Sequence, residues 1–140
     1  MHDLGQNEDR LRGTYGFPFE FHHIDSSHPR YIMSYHWHVE YEIMRVLEGT
    51  LTVTLDEKSF TAKAGDIIFV HSGILHSGIP EKCVYECLVF DMNAFLKTGS
   101  VCSEYIQRIV HQDIMIYHHF TAAQKEIIRA ANTIFQAFQK

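Results

Sequence analysis

Apolar and polar positions change places in short runs between residues 17 and 91, and beyond residue 93 the repeat lengthens. "FPFEFHHI" sets Phe17, Phe19 and Phe21 on one face, and "RYIMSYHWH" makes a second run. "EIMRVLE" ends at Gly49, and "TLTVTLDE" alternates Leu51, Val53 and Leu55 against Thr50, Thr52 and Thr54. "KSFTAK" precedes an Ala-Gly-Asp turn, "DIIFV" precedes a His-Ser-Gly turn, and "VYECLVFD" closes the series. A period of two, β-branched and aromatic content and tight turns predict short strands in an antiparallel sandwich or barrel. Nothing in 17–91 reads as a helix.

The tail reads differently. In "SVCSEYIQRIV", Cys102, Ile106, Ile109 and Val110 fall at helical spacing. In "FTAAQKEIIRAANTIFQAFQK", Thr121 with Gln124 forms a capping-box start, and Ile127, Ile128, Ala131, Ile134, Phe135 and Phe138 form one stripe. The expected division is a flexible arm over 1–16, a β-barrel over 17–92 and a helical extension over 93–140. The last helix reaches residue 140 without a glycine stop, which predicts that the natural polypeptide continues.

Composition narrows the function classes. A net charge of −5 is the reverse of the basic surplus that phosphate-gripping domains carry, so nucleic-acid binding by this segment itself is not expected. No apolar run approaches the ~20 residues of a membrane span, and the polar N-terminus does not resemble a secretory signal. Cytoplasmic residence without membrane contact is the resulting expectation. Three cysteines without framework spacing agree with it; Cys83 and Cys87, ~13 Å apart along one strand, cannot bridge each other.

Chemistry concentrates in "HWHVEYEIMRVLEG", residues 36–49. Alternate residues of a strand lie ~6.7 Å apart on one face, so His36 and His38 can converge on one ion. In a straight strand Glu42 would lie ~20 Å from His36, far beyond sharing ligands at ~2.1 Å from one metal. The chain must therefore turn at Val39-Glu40-Tyr41, with Glu42 opening the next strand and Glu40 left to solvent. "GDIIFVHSGILHSGIP" offers the remaining donor, His76, after turns at Gly65 and Gly73. Three imidazoles and a carboxylate suit a borderline divalent cation: Zn²⁺, Ni²⁺, Fe²⁺ or Mn²⁺. No organic cofactor is expected. Met44 and Val46 share parity with Glu42 and are candidate ligand-binding residues, as is His71 in its turn. Arg45 faces the other way. The adjacent pairs His22–His23 and His118–His119 are expected at the surface.

Residues 36–49 resemble the first cupin motif, H-x-H-x3-E-x6-G, with His36, His38, Glu42 and Gly49 at the required offsets. Residues 65–76 resemble the second, G-x5-P-x-G-x2-H, with His71 in place of the proline. Arg30 stands where a glycine often precedes the first motif, and Pro80 where an asparagine ends the second. The whole run, with "CLVFDMNAFL" and two helices after it, is similar to the N-terminal sensor half of AraC-type transcription regulators.

That resemblance implies a mainly β, jelly-roll-like cupin barrel followed by a C-terminal pair of α-helices. It also implies a small-molecule effector such as a sugar, homodimerisation through the C-terminal helices, and DNA binding only by a C-terminal domain outside this chain. The alternative is a small metal-dependent cupin enzyme, a dioxygenase or isomerase. No catalytic residue is assigned, because no further acid–base pair stands out in the sequence.

Overall fold

A computed structural model describes residues 19–95, 101–112 and 115–139; the arm over 1–16, Phe17 and the side chain of Cys102 lie outside this set. Six strands come first: β1 (Phe19–Ile24), β2 (Met33–His36), β3 (Tyr41–Leu55), β4 (Lys58–Lys63), β5 (Ile67–Val70) and β6 (His76–Phe90). A 3₁₀ turn (Met92–Phe95), α1 (Val101–Val110), the short β7 (His119–Phe120) and α2 (Lys125–Ala137) follow. This mainly β architecture with two trailing helices is the one the periodicity predicts. β7 was not foreseen: two residues between the helices return to the sheet and pair with β5.

The long strands β3 and β6 each serve two layers. Tyr41–Val46 of β3 pairs with Tyr85–Phe90 of β6, extended by β1 on one side and by β5 and β7 on the other. Thr50–Leu55 pairs with His76–Glu81, flanked by β2 and β4. The register shifts between Val46 and Thr50, where the ribbon must bend. Gly49 lies at that bend with φ +70°, and a Cβ there would sit 2.1 Å from the Lys82 carbonyl oxygen. Only glycine tolerates both the left-handed backbone and the approach.

Strand alternation then sorts the core in two. Met44, Val46, Tyr85 and Cys87 meet Leu51, Val53 and Ala62 inside the barrel. Tyr41, Phe69, Leu88 and Phe90 face outward and are covered by Ile109 of α1 and by Ala131 and Phe135 of α2. The expected apolar stripe of α2 therefore splits: Ile128, Ala131, Phe135 and Phe138 pack on the sheet, whereas Ile127 and Ile134 are exposed. The Gln124 side chain does accept the Thr121 N–H at 2.8 Å, yet the helix begins only at Lys125.

Candidate functional site

β2 ends at His36, and the chain turns so that β3 opens at Tyr41, which brings Glu42 back beside the two histidines. His76 is the first residue of β6 and pairs with His36 across the β2–β6 ladder. One ligand atom from each of His36, His38, Glu42 and His76 lies within 4.8 Å of all the others. His38, Glu42 and His76 are buried and His36 is half-buried. Opposite ligands of a cation with ~2.1 Å bonds stand ~4.2 Å apart, so shifts of a few tenths of an ångström would close this set on one ion.

Hydrogen bonding prepares the imidazoles for that role. Nδ1 of His36 lies 2.8 Å from the Ser34 carbonyl, Nδ1 of His38 3.0 Å from that of Glu40, and Nδ1 of His76 2.8 Å from that of Ile74. A carbonyl only accepts, so each ring carries its proton on Nδ1 and turns the Nε2 lone pair inward. The Gly73 N–H donates to the His38 carbonyl at 2.8 Å and pins that backbone from the second motif.

Glu42 Oε1 lies 3.1 Å from His38 Nε2 and 3.4 Å from His76 Nε2. The His76 Nε2 is a buried atom with no hydrogen-bond partner. Burial pushes the Glu42 carboxyl up, but the neighbouring His38 and His76 side chains outweigh it and hold it well below the usual carboxylate range. The Nε2 atoms of His38 and His76 and an ionised carboxylate thus converge on one point. A divalent cation bound by these donors would balance the carboxylate and take up the partnerless His76 nitrogen. The residues present fit a metal.

Three of the donors, His36, His38 and Glu42, border a cavity of about 240 Å³, and His76 lies behind them outside its lining. Its walls come from β1 (His22, Ile24), the following loop (His28, Arg30, Ile32) and β6 (Cys87, Val89). The candidates Met44, Val46 and His71 are not among its lining residues. Met44 and Val46 point inward as their parity requires, but Leu51, Val53, Ile68 and Tyr85 surround them in the barrel core. His71 lies on the other side of the sheet between the rings of Tyr41 and Phe69, where its Nε2 accepts the Ile116 N–H at 2.8 Å. Burial lowers its pKa, in keeping with a neutral ring.

Several residues given no role in the sequence do have one. Cys87 pairs with Met44 across β3 and β6 and reaches the Glu42 carboxylate; burial, with the charge of Glu42, raises its thiol pKa well above the usual value. It sits there as a protonated thiol. His22 and His23, expected at the surface, diverge to the two faces of β1: His22 lines the cavity, while His23 binds Glu86 at 2.6 Å on the helix side. His119 is tied to the buried Asp66 at 2.8 Å and fastens β7. Glu40 is not left to solvent, since its Oε1 is buried 4.0 Å from His38 Nδ1. Among the described residues no helix is long and apolar enough to cross a membrane.

Comparison with known proteins adds a family, a relative and two solved structures. The model of the family "AraC-like ligand binding domain" matches residues 18–136. An uncharacterized HTH-type transcriptional regulator, YdeC of Bacillus subtilis (strain 168), is 27% identical over 111 residues, covering 75% of this chain but only 38% of that protein. Among solved structures, a cupin-2 domain protein from Shewanella frigidimarina has a TM-score of 0.43 and 18% identity over 56% of this chain and 74% of its own. A putative mannose-6-phosphate isomerase from Ralstonia eutropha has a TM-score of 0.45 and 15% identity over 52% and 74%.

Proposed function

This chain belongs to the family of AraC-like ligand-binding domains, and from that premise we propose that its barrel is the effector sensor of a transcription regulator. The supporting observation is the cavity itself: a walled space of about 240 Å³ lined by His36, His38 and Glu42, which cluster with the buried His76 behind them. A small metabolite enters this space, and a divalent cation, when bound by the four donors, would supply a fixed positive charge beside it. His36, His38 and His76 would hold the cation through Nε2, and Glu42 would supply the compensating charge.

DNA contact belongs to a part of the regulator outside this chain, which spans 38% of the Bacillus relative. Such a regulator works in the cytoplasm. A ligand shifts it only by binding two states with different affinity. α2 reports that difference in this reading, because Arg45 and Glu86 on the strands hold Asn132 within it and Gln139 just beyond its end. The exposed Ile127 and Ile134 of α2 form the surface on which two copies pair.

The test uses the intact gene. His38→Ala should abolish metabolite-dependent control of the target promoters while the protein accumulates normally and still binds its operator. Unchanged control would refute the sensor role. A second reading, a small metal-dependent enzyme, draws on one observation: two further imidazoles, His22 and His28, line the same cavity and could move protons. Turnover of a substrate by the metal-loaded chain, lost in His22→Ala, would favour it.

A further inference from the structure

The three imidazoles of the candidate cluster are not held alike. His36 and His76 rest Nδ1 on the carbonyl two residues earlier, Ser34 at 2.8 Å and Ile74 at 2.8 Å. His38 uses the carbonyl two residues later, that of Glu40 at 3.0 Å, in the turn between β2 and β3. Its acceptor thus belongs to a residue with a carboxyl group of its own, and Glu40 Oε1 stands 4.0 Å from the same Nδ1.

That oxygen is buried and lacks a hydrogen-bond donor. Among the described residues, one other buried side-chain atom is in this position, His76 Nε2. The two orphans flank one ring. His76 approaches His38 with ring centroids 5.1 Å apart, on the side where both Nε2 atoms meet Glu42, and Glu40 Oε1 lies on the Nδ1 side. The turn that places Glu40 is fixed at both ends: the Gly73 N–H holds the His38 carbonyl at 2.8 Å, and Tyr41 is buried.

A buried acceptor without a donor is costly, and more so when it is charged. A cation would answer both deficits. It would take up His76 Nε2 directly, and by drawing electrons from His38 Nε2 it would make Nδ1–H a stronger donor. Ligating histidines give their second N–H to a carboxylate or a carbonyl, which fixes the ring and raises its basicity. A charge-assisted N–H···O bond is ~2.7–2.9 Å long, so Glu40 Oε1 stands about 1 Å beyond it.

We propose, resting on the metal-binding reading of the four donors, that Glu40 is a positioning residue for His38. Its carboxylate becomes the acceptor of the His38 Nδ1–H when a divalent cation is held on Nε2. Glu40 does not touch the ion; it acts through the ring, which it orients and makes a better donor.

The test measures Zn²⁺ affinity of the chain by competition with a chromophoric chelator. Glu40→Gln keeps the size of the side chain and removes its charge. It should bind Zn²⁺ about tenfold or more weakly than the parent. Its metal-free form should melt at or above the parent, because an amide is less costly to bury than a carboxylate. Glu81→Gln, an equal loss of charge at an exposed position on β6, should change the affinity by less than about twofold. In nuclear magnetic resonance spectra of the zinc-loaded protein, the His38 Nδ1 proton should lie further downfield in the parent than in Glu40→Gln.

Equal Zn²⁺ affinity in Glu40→Gln and the parent, an equal loss in Glu81→Gln, an unmoved Nδ1 proton, or a metal-free Glu40→Gln protein that melts well below the parent overturns the proposal. A parent that binds neither Zn²⁺ nor Ni²⁺ removes the metal reading and this proposal together. A parent that binds while Glu40→Gln changes nothing removes this proposal alone. The sensor reading has its separate test in the promoter control of His38→Ala.

Discussion

Replacing Arg45 by Met should cost about 3–5 kcal/mol, because it strands a buried carboxylate. Arg45 lies on the helix side of β3, where its Nε and Nη2 reach Glu86 Oε1 at 2.8 and 2.7 Å. Nη1 donates to Asn132 Oδ1 at 3.2 Å, and the guanidinium lies 4.9 Å from the centre of the Phe135 ring. The Glu86 side chain is 2% exposed. Without Arg45 it keeps, among the described residues, His23, half exposed, and the Gln139 amide at 3.2–3.3 Å. Methionine retains the aliphatic packing, so the loss is mainly electrostatic.

With m about 1.5 kcal/mol/M for a chain of this size, the urea midpoint falls by about 2–3 M. Glu86→Leu should cost a similar amount by stranding the guanidinium. The double variant should recover to within about 1–2 kcal/mol of the parent, since a buried ion pair and an apolar pair of like volume are nearly equivalent. The coupling energy from this cycle is therefore about 3 kcal/mol or more. Metal content should not change, because the metal-site residue Glu42 occupies the opposite face of β3. Additive losses, or a cost below about 1 kcal/mol for Arg45→Met, would refute the account.

Three further outcomes are expected. Protein purified without added metal should carry about one divalent ion per chain by elemental analysis. His76→Ala should lose most of it, and stripping with a chelator should lower the melting temperature of the parent by roughly 5–10 °C, as for a ligand at ~100 times its Kd. In metal-free protein, stability should fall with acid through His71. Burial lowers its folded pKa, so the stability it contributes is complete above the unfolded value of about 6.5 and is lost as pH falls through the folded one. His71→Phe should flatten that limb, whose slope is at most about 1.4 kcal/mol per pH unit; an unchanged limb would contradict the neutral ring bonded to Ile116. Ile127→Glu with Ile134→Glu should shift sedimentation from dimer to monomer without loss of helix signal in circular dichroism; a persisting dimer would exclude α2 as the pairing surface.

The clustering of the candidate donors was legible because their geometry is local. His36, His38 and Glu42 are confined by strand alternation and one obligatory turn, and glycines at 49, 65 and 73 mark where the backbone takes positive φ. His76 needed the second motif as well, since nothing local to residues 71–80 says which strand it will face. Arg45 could be assigned to the helix side by parity, but not to Glu86, 41 residues away. Two residues were misplaced for one reason. Motif spacing marked His71 for the pocket and adjacency sent His119 to the surface; both positions are decided by the 115–120 segment returning to the sheet, where Ile116 binds one ring and β7 carries the other.

The cavity wall was illegible for a different reason: it depends on register. Cys87 faces Glu42 only because it sits opposite Met44 in the β3–β6 ladder, and His22 faces the cavity only because it sits opposite Cys87 in the β1–β6 ladder. A slip of one residue in β1 would exchange His22 for His23, moving one imidazole from the pocket to the Glu86 network and the other in reverse. Sequence periodicity fixes which residues share a face but not which face meets the ligand. That choice is made by the apolar side chains of β1, with Phe19 and Phe21 against Phe138 and Phe135 of α2 and Ile24 in the barrel core. Packing of the last helix therefore selects the register that puts His22 in the pocket, so the identity of the binding site is decided partly on the opposite face of the sheet.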